Sequence, residues 1–236
     1  PQKLSAAGMI YNLSQMLVDK NINVTCAFSG IIDENIKKKY KFDRINFINT
    51  NILTSFRNKS LIFRFCFEIS TAIVLAVKCF FYFNKRKDLD LIIWYGPSVF
   101  LWIVVKAINF SKKIPVYYIL RDIFPDWLIS LKVVKNFYII WLLKKISNPQ
   151  YAVSDVIGVE ASENIIYLNK KGVKTKKIEL LPNWPSIVLS QNNKIDYKVK
   201  HDFNNAINSA KENNNISFVY IGNSSIAHDY NSLVEF

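Results

Sequence analysis

Histidine is nearly missing from this chain. The two that occur, His201 and His228, both lie in the C-terminal part. A histidine triad or a histidine metal site is therefore excluded from the first domain, and carboxylates remain as its possible general bases. Cysteine is scarce too. Cys26, Cys66 and Cys79 show no CxxC spacing and sit in apolar runs. They read as reduced core thiols of a cytosolic protein, not as disulfides or metal ligands. The common phosphate and hydrolase signatures are absent: no Walker A sequence, no GxGxxG, no HExxH and no GxSxG. Negative charge is the scarce sign, with 18 Asp+Glu against 31 Lys+Arg and a formal net charge of +13. Such an excess suits polyanions: nucleic acid, an anionic membrane surface or phosphorylated substrates. A solvated basic surface is the plain alternative. Nucleic acid is set aside, because there is no RNP, helix-turn-helix or zinc motif and the aromatics lie in apolar runs, not interleaved with Arg.

What is present is a sizeable core and an alternating pattern. Half of the 236 residues are hydrophobic. Ser5-Ala6-Ala7-Gly8 opens a helical pattern through Leu17. Strands are expected at Asn21–Phe28, Ile45–Ile48, Leu89–Tyr95, Val116–Leu120, Val153–Val159 and Ile178–Leu181, with a helix over Val99–Phe110. Strands alternating with helices predict βαβ units and a parallel sheet, hence an α/β, Rossmann-like domain. The chain opens on Pro1 and stops at Phe236 inside a helical pattern. The expectation is a fragment whose first strand is missing.

Pro182-Asn183-Trp184-Pro185 breaks any regular element and marks a boundary. Residues 1–185 are expected to form the first domain. Residues 186–236 hold an Asn- and Lys-rich linker, then the strand Ile216–Ile221 and the turn Gly222-Asn223. They read as the start of a second α/β domain.

Two apolar stretches raise the question of a membrane. Leu61–Phe83 is long enough to span a bilayer, which takes roughly 20 residues. Arg64, Glu68, Thr71, Lys78 and Tyr82 fall on one helical face, so a helix packed on a sheet is the preferred reading, with an interfacial helix as the alternative. Leu128–Ile146 reads as one amphipathic helix mixing lysines with Phe137, Tyr138 and Trp141. That combination suits a membrane surface as well as an ordinary basic face.

The candidate chemistry gathers at strand ends, because ligands of open α/β sheets bind at the C-terminal edge of the strands. Asp122 follows a buried strand and can serve as a general base toward a substrate hydroxyl. Arg121 beside it can hold a phosphate by a bidentate contact. An internal Arg-Asp pair is the simpler reading, and Asp126 reads equally as a helix-start residue. Gly96 and Ser98 turn a strand into a helix, where backbone N–H groups can face a ligand or simply make the turn. Ser5 and Gly8 hold the same place in the first loop. Glu160 follows Val153–Val159, Asn183 lies in the boundary segment, and Gly222-Asn223 opens a helix as diphosphate sites do. Each is weak alone; together they place small or polar residues on one edge.

The order of these motifs resembles bacterial family 4 glycosyltransferases of the GT-B fold that build O-antigen and capsule units. Those annotated for N-acetyl-fucosamine or fucosamine are the nearest likeness. The resemblance rests on SAAGMIYNLSQML, YGPSVFLW, LRDIFPDW, VSDVIGVEAS, LPNW and FVYIGNSSIAHD, which together cover nearly the whole chain. LRDIFPDW is the most specific.

The resemblance implies two Rossmann-like domains facing a cleft, the first for a polyprenyl-diphosphate-linked acceptor and the second for a nucleotide-sugar donor. It implies no metal or other cofactor, and a cytoplasmic protein peripheral to the inner face of the cell membrane. Asp122 then matches the residue near the reaction centre. Arg121 and Asp126 flank it, Ser5 and Gly8 match the first loop, and Gly222 and Asn223 match the loop that approaches the donor diphosphate. The donor-side basic pair and glutamate motif of the family have no counterpart in these 236 residues. Residues 1–236 alone are therefore expected to transfer no sugar. The alternative is a non-catalytic, membrane-associated α/β binding protein.

Overall fold

The computed structural model describes residues 6–31, 44–52, 61–86, 88–96, 98–110 and 112–184, with 204, 205 and 208. The helices are α1 (Ala6–Asp19), α2 (Leu61–Asn84), α3 (Trp102–Ile108), α4 (Asp126–Ser130), α5 (Phe137–Ser147), α6 (Pro149–Ala152) and α7 (Ser162–Lys170). The strands are β1 (Val24–Phe28), β2 (Ile45–Asn49), β3 (Ile92–Gly96), β4 (Val116–Leu120), β5 (Val156–Val159) and β6 (Lys177–Leu180). The chain separates into two compact units, Pro1–Ser186 and Ile187–Phe236. The expected strand Ile216–Ile221 lies outside the described residues.

The protein is α/β with parallel sheets. Strands β3-β4-β5-β6 pair in sequence order, all parallel, and β1 pairs parallel with β2. Sequential parallel strands need crossovers, and α3, α5 to α6, and α7 supply them. One core cluster lies on one face of this sheet. Trp94 stacks on Tyr118 with ring centroids 3.8 Å apart, and Ile157, Leu168 and Tyr151 close around them. The buried polar atoms of this layer are partly paired. Tyr118 donates to Gln150 Oε1 at 2.8 Å, and Trp94 Nε1 to Ser154 Oγ at 3.3 Å. Gly96 belongs to the same packing: a Cβ there would sit 2.5 Å from the Tyr118 hydroxyl.

Three helices end in the same way. The N–H of the second residue past the cap reaches back five positions, and the residue before it is left-handed. In α1 these bonds are Ile22 N–H to Leu17 O and Asn21 N–H to Val18 O, with Asn21 at φ 60°. The helix therefore runs past Leu17 to Asp19, and the strand starts at Val24, not Asn21. Gly172, φ 73°, ends α7 with the same pair of bonds.

Lys132, φ 55°, does this for α4 and corrects the expectation of one continuous helix over Leu128–Ile146. After the break, Asn136 restarts the helix by accepting the N–H groups of Tyr138 and Ile139 at 2.9 and 3.2 Å. Val153 is a turn residue after α6, so β5 is shorter than expected.

Helix α2 packs Leu75, Ala76, Cys79 and Phe83 against Ile48 and Val104. Its polar stripe flanks that face. Thr71 is buried and donates to Phe67 and Glu68 carbonyls, and Lys78 Nζ donates to Asn49 O at 2.8 Å. The cysteines are unbridged. Cys79 is buried, and burial pushes its thiol up to about 12. Cys66 is exposed on α2, a correction to its reading as a core thiol. Phe63 and Phe65 beside it are exposed as well.

Candidate functional site

Register decides which side chains share an edge. Gly96, Leu120, Val159 and Leu180 are paired across the sheet and each is the last residue of its strand. The residues that follow, Arg121, Glu160 and Leu181, therefore leave the sheet side by side at its C-terminal edge.

Arg121 is the centre of the group. Its side chain is 8% exposed, and Nη1 lies 3.7 Å from Glu160 Oε2. Nη1 also donates to the Leu181 carbonyl at 3.4 Å. The guanidinium sits 5.3 Å from the Trp184 ring centroid. Asn183 Nδ2 donates to the same Glu160 oxygen at 2.7 Å. Trp184 Nε1 donates to Met9 O at 3.3 Å, which brings the first turn of α1, where Gly8 lies, to this edge. Burial raises the Tyr95 phenol, the Arg121 guanidinium opposes that rise, and the Asp122 and Glu160 carboxylates add to it.

Arg121 Nε and Nη2 are buried and make no hydrogen bond of good geometry, although the guanidinium has a looser hydrogen-bonding contact with the Tyr95 hydroxyl. An unmet buried donor costs about 1–3 kcal/mol, more on a charged group. These two atoms lie on one edge of the guanidinium, the edge that grips a phosphate or carboxylate with two parallel bonds. Next to it, Asp122 is exposed, and its carboxylate makes no hydrogen bond or ion pair among the described residues. The arrangement thus pairs a poised cationic fork with a free carboxylate.

The other expected residues are placed as follows. Ser98 Oγ donates to Glu68 Oε2 on α2 at 3.5 Å. Gly96 makes room for Tyr118, as described above. Asp126 is engaged elsewhere: Lys171 Nζ at 2.5 Å and the Tyr167 hydroxyl at 2.9 Å both donate to its Oδ2, tying α4 to α7. Ser5, Gly222 and Asn223 lie outside the described residues. Among the described residues no group of three or more His, Cys, Asp or Glu is placed to hold a metal ion.

Tyr95 and Trp184 join the site without having been singled out. Tyr95 ends the run Ile92-Ile93-Trp94-Tyr95, and its position just before Gly96 was the available signal. No family model matches the chain, and no curated protein matches it.

Proposed function

We propose that this chain is the acceptor-binding part of a GT-B glycosyltransferase. The whole enzyme moves a sugar from a nucleotide-sugar donor to a polyprenyl-diphosphate-linked saccharide in surface polysaccharide assembly, at the cytoplasmic face of the membrane. One observation carries the reading: the unmet Nε–Nη2 fork of Arg121 beside the free carboxylate of Asp122, on the ligand edge of a parallel sheet. The LRDIFPDW resemblance supports it. In this reading Arg121 takes an anionic oxygen pair of the bound substrates. Asp122 accepts the proton of the acceptor hydroxyl as that oxygen bonds to the anomeric carbon of the donor sugar, whose bond to the nucleotide diphosphate breaks and releases that diphosphate. Glu160 and Asn183 hold Arg121 in place. Residues from 186 onward would open the donor-binding domain.

The test is Asp122→Asn in the full-length protein, assayed with membranes and nucleotide sugars. Loss of a general base lowers kcat by about 10²–10⁴. Unchanged transfer removes the catalytic role. It then favours the second reading, a membrane-associated α/β binding protein, which the exposed aromatic face of α5 also supports.

A further inference from the structure

Helix α2 carries two apolar faces. Leu75, Ala76, Cys79 and Phe83 turn inward and pack on the protein. The other face is open. Phe63, Ile73, Val77 and Phe81 are 60%, 49%, 51% and 72% exposed, and Phe110, just past α3, is 82% exposed. These side chains leave roughly 700 Å² of mostly apolar surface in water, above the roughly 300–600 Å² of the largest patch on an ordinary monomer. The open face is also periodic. Phe63, Ser70, Val77 and Asn84 recur every seven residues, and Cys66, Ile73 and Phe80 each follow three residues after one of them. That is a heptad seam. The charged residues of α2, Arg64, Glu68 and Lys78, all lie off it. Ser70 Oγ donates to Phe67 O at 3.0 Å, so its hydroxyl is satisfied within the helix and a dry partner costs it no hydrogen bond.

The two halves of the seam differ in shape. The N-terminal half is small at Cys66 and Ser70, with Phe63 standing out beyond them. The C-terminal half is branched at Ile73 and Val77 and borders a groove of about 290 Å³, lined by Ile73, Ala76, Val77 and Phe81 with Ile103 and Ala107 of α3. A cavity of about 150 Å³ already takes a benzene ring. We infer that α2 pairs with α2 of a second copy of this chain, antiparallel about a twofold axis. Ser70 of each copy faces Ile73 of the other, Cys66 faces Val77, and Phe63 enters the groove beside Phe80. Each half then meets the half that fits it, which is the condition of an isologous contact.

The area suffices. Two copies would bury roughly 1,400 Å², within the roughly 1,200–2,000 Å² of specific stable interfaces. Any apolar surface could cover the patch, but only another helix calls for a period of about 3.5 residues. The complementary halves lie on one helix, so the helix that fits is a second α2. The test is sedimentation velocity of the full chain over a concentration series, which should show a reversible monomer–dimer equilibrium. Each copy carries a net charge of +13. Association should therefore strengthen with salt, as the screening length falls from about 10 Å at 0.1 M to 3 Å at 1 M. Ile73→Arg puts a cation in the seam of both copies and should raise the dimer Kd at least about tenfold. Phe63→Ser takes the ring out of the groove and should weaken the dimer too. Circular dichroism of both variants should stay unchanged, because Ile73 and Phe63 are half-exposed or more.

Phe137→Ser, exposed on α5, should associate as the parent does. Register has its own readout. Val77→Cys sets a thiol opposite Cys66 of the other copy, so mild oxidation should give a covalent dimer, and adding Cys66→Ser should abolish it. The inference is overturned by a monomer at every concentration, by association that salt weakens or that survives Ile73→Arg, by loss that follows Phe137→Ser instead, or by a cross-link that fails to form or persists without Cys66. Association needs no donor or acceptor. Failure here leaves the transferase reading standing, and a silent Asp122→Asn leaves the pairing standing.

Discussion

Arg121 and Glu160 leave neighbouring strands at the same level of the sheet, and their charged groups meet at 3.7 Å. The pair occupies only one nitrogen of the guanidinium. The carboxylate is shared with Asn183 and is about one third exposed. Glu160 thus orients Arg121 without satisfying it, which is the condition of a residue held ready for another anion.

Arg121→Met tests this directly. The substitution removes two buried, unmet donors and keeps the apolar stem, so the folded state should be within about 1 kcal/mol of the parent, or more stable. Inorganic diphosphate should raise the melting temperature of the parent and leave that of the variant unmoved. A melting temperature several degrees lower in the variant would show instead that Arg121 is structural.

Gly96 and Tyr118 are predicted to be coupled. Gly96→Ala puts a methyl 2.5 Å from the Tyr118 hydroxyl, in a layer that has little room to shift. Overpacking of this kind costs about 1–3 kcal/mol. Tyr118→Phe alone should also destabilise, because Gln150 Oε1 loses its donor. Combined, the two should cost less than the sum, since the closest clashing atom is gone. Urea denaturation of the four proteins measures the difference, and strict additivity would refute the contact.

Asp155 sits at the opposite, N-terminal edge of the sheet. Lys176 Nζ, 2.7 Å away, lowers its pKa from 3.8, the Val116 N–H helps, and partial burial opposes. A carboxyl depressed in the folded state binds its proton more tightly when unfolded. Its stabilisation is therefore present above the ordinary carboxylate range and is lost as pH falls through it. Asp155→Asn should lower the melting temperature at pH 7, and the curves of parent and variant should converge below about pH 4. A constant gap across that range would rule the carboxylate out as the source.

The strand Val116–Leu120 was legible without a structure, because a buried parallel strand is a short run of β-branched and aromatic residues with polar ends. The ligand edge was legible for the same reason: each strand stops where polar residues begin, and Arg121, Glu160 and Asn183 all follow strand ends. The break inside Leu128–Ile146 was not. It turns on Lys132 adopting a left-handed conformation, which its side chain does not announce, whereas Gly172 does. The exposure of Cys66 was hidden because an apolar helix does not say which of its faces is covered.

Amino-acid order by itself determined the α/β alternation, the parallel sheet and the positive charge, since these follow from local periodicity and composition. Only the tertiary structure decided that Glu160 and Asn183 meet Arg121 while Asp126 is consumed by Lys171 and Tyr167. The reason is register. Residues far apart in the chain become neighbours through strand pairing. Which donors then remain unmet is a property of that packing and not of any one segment.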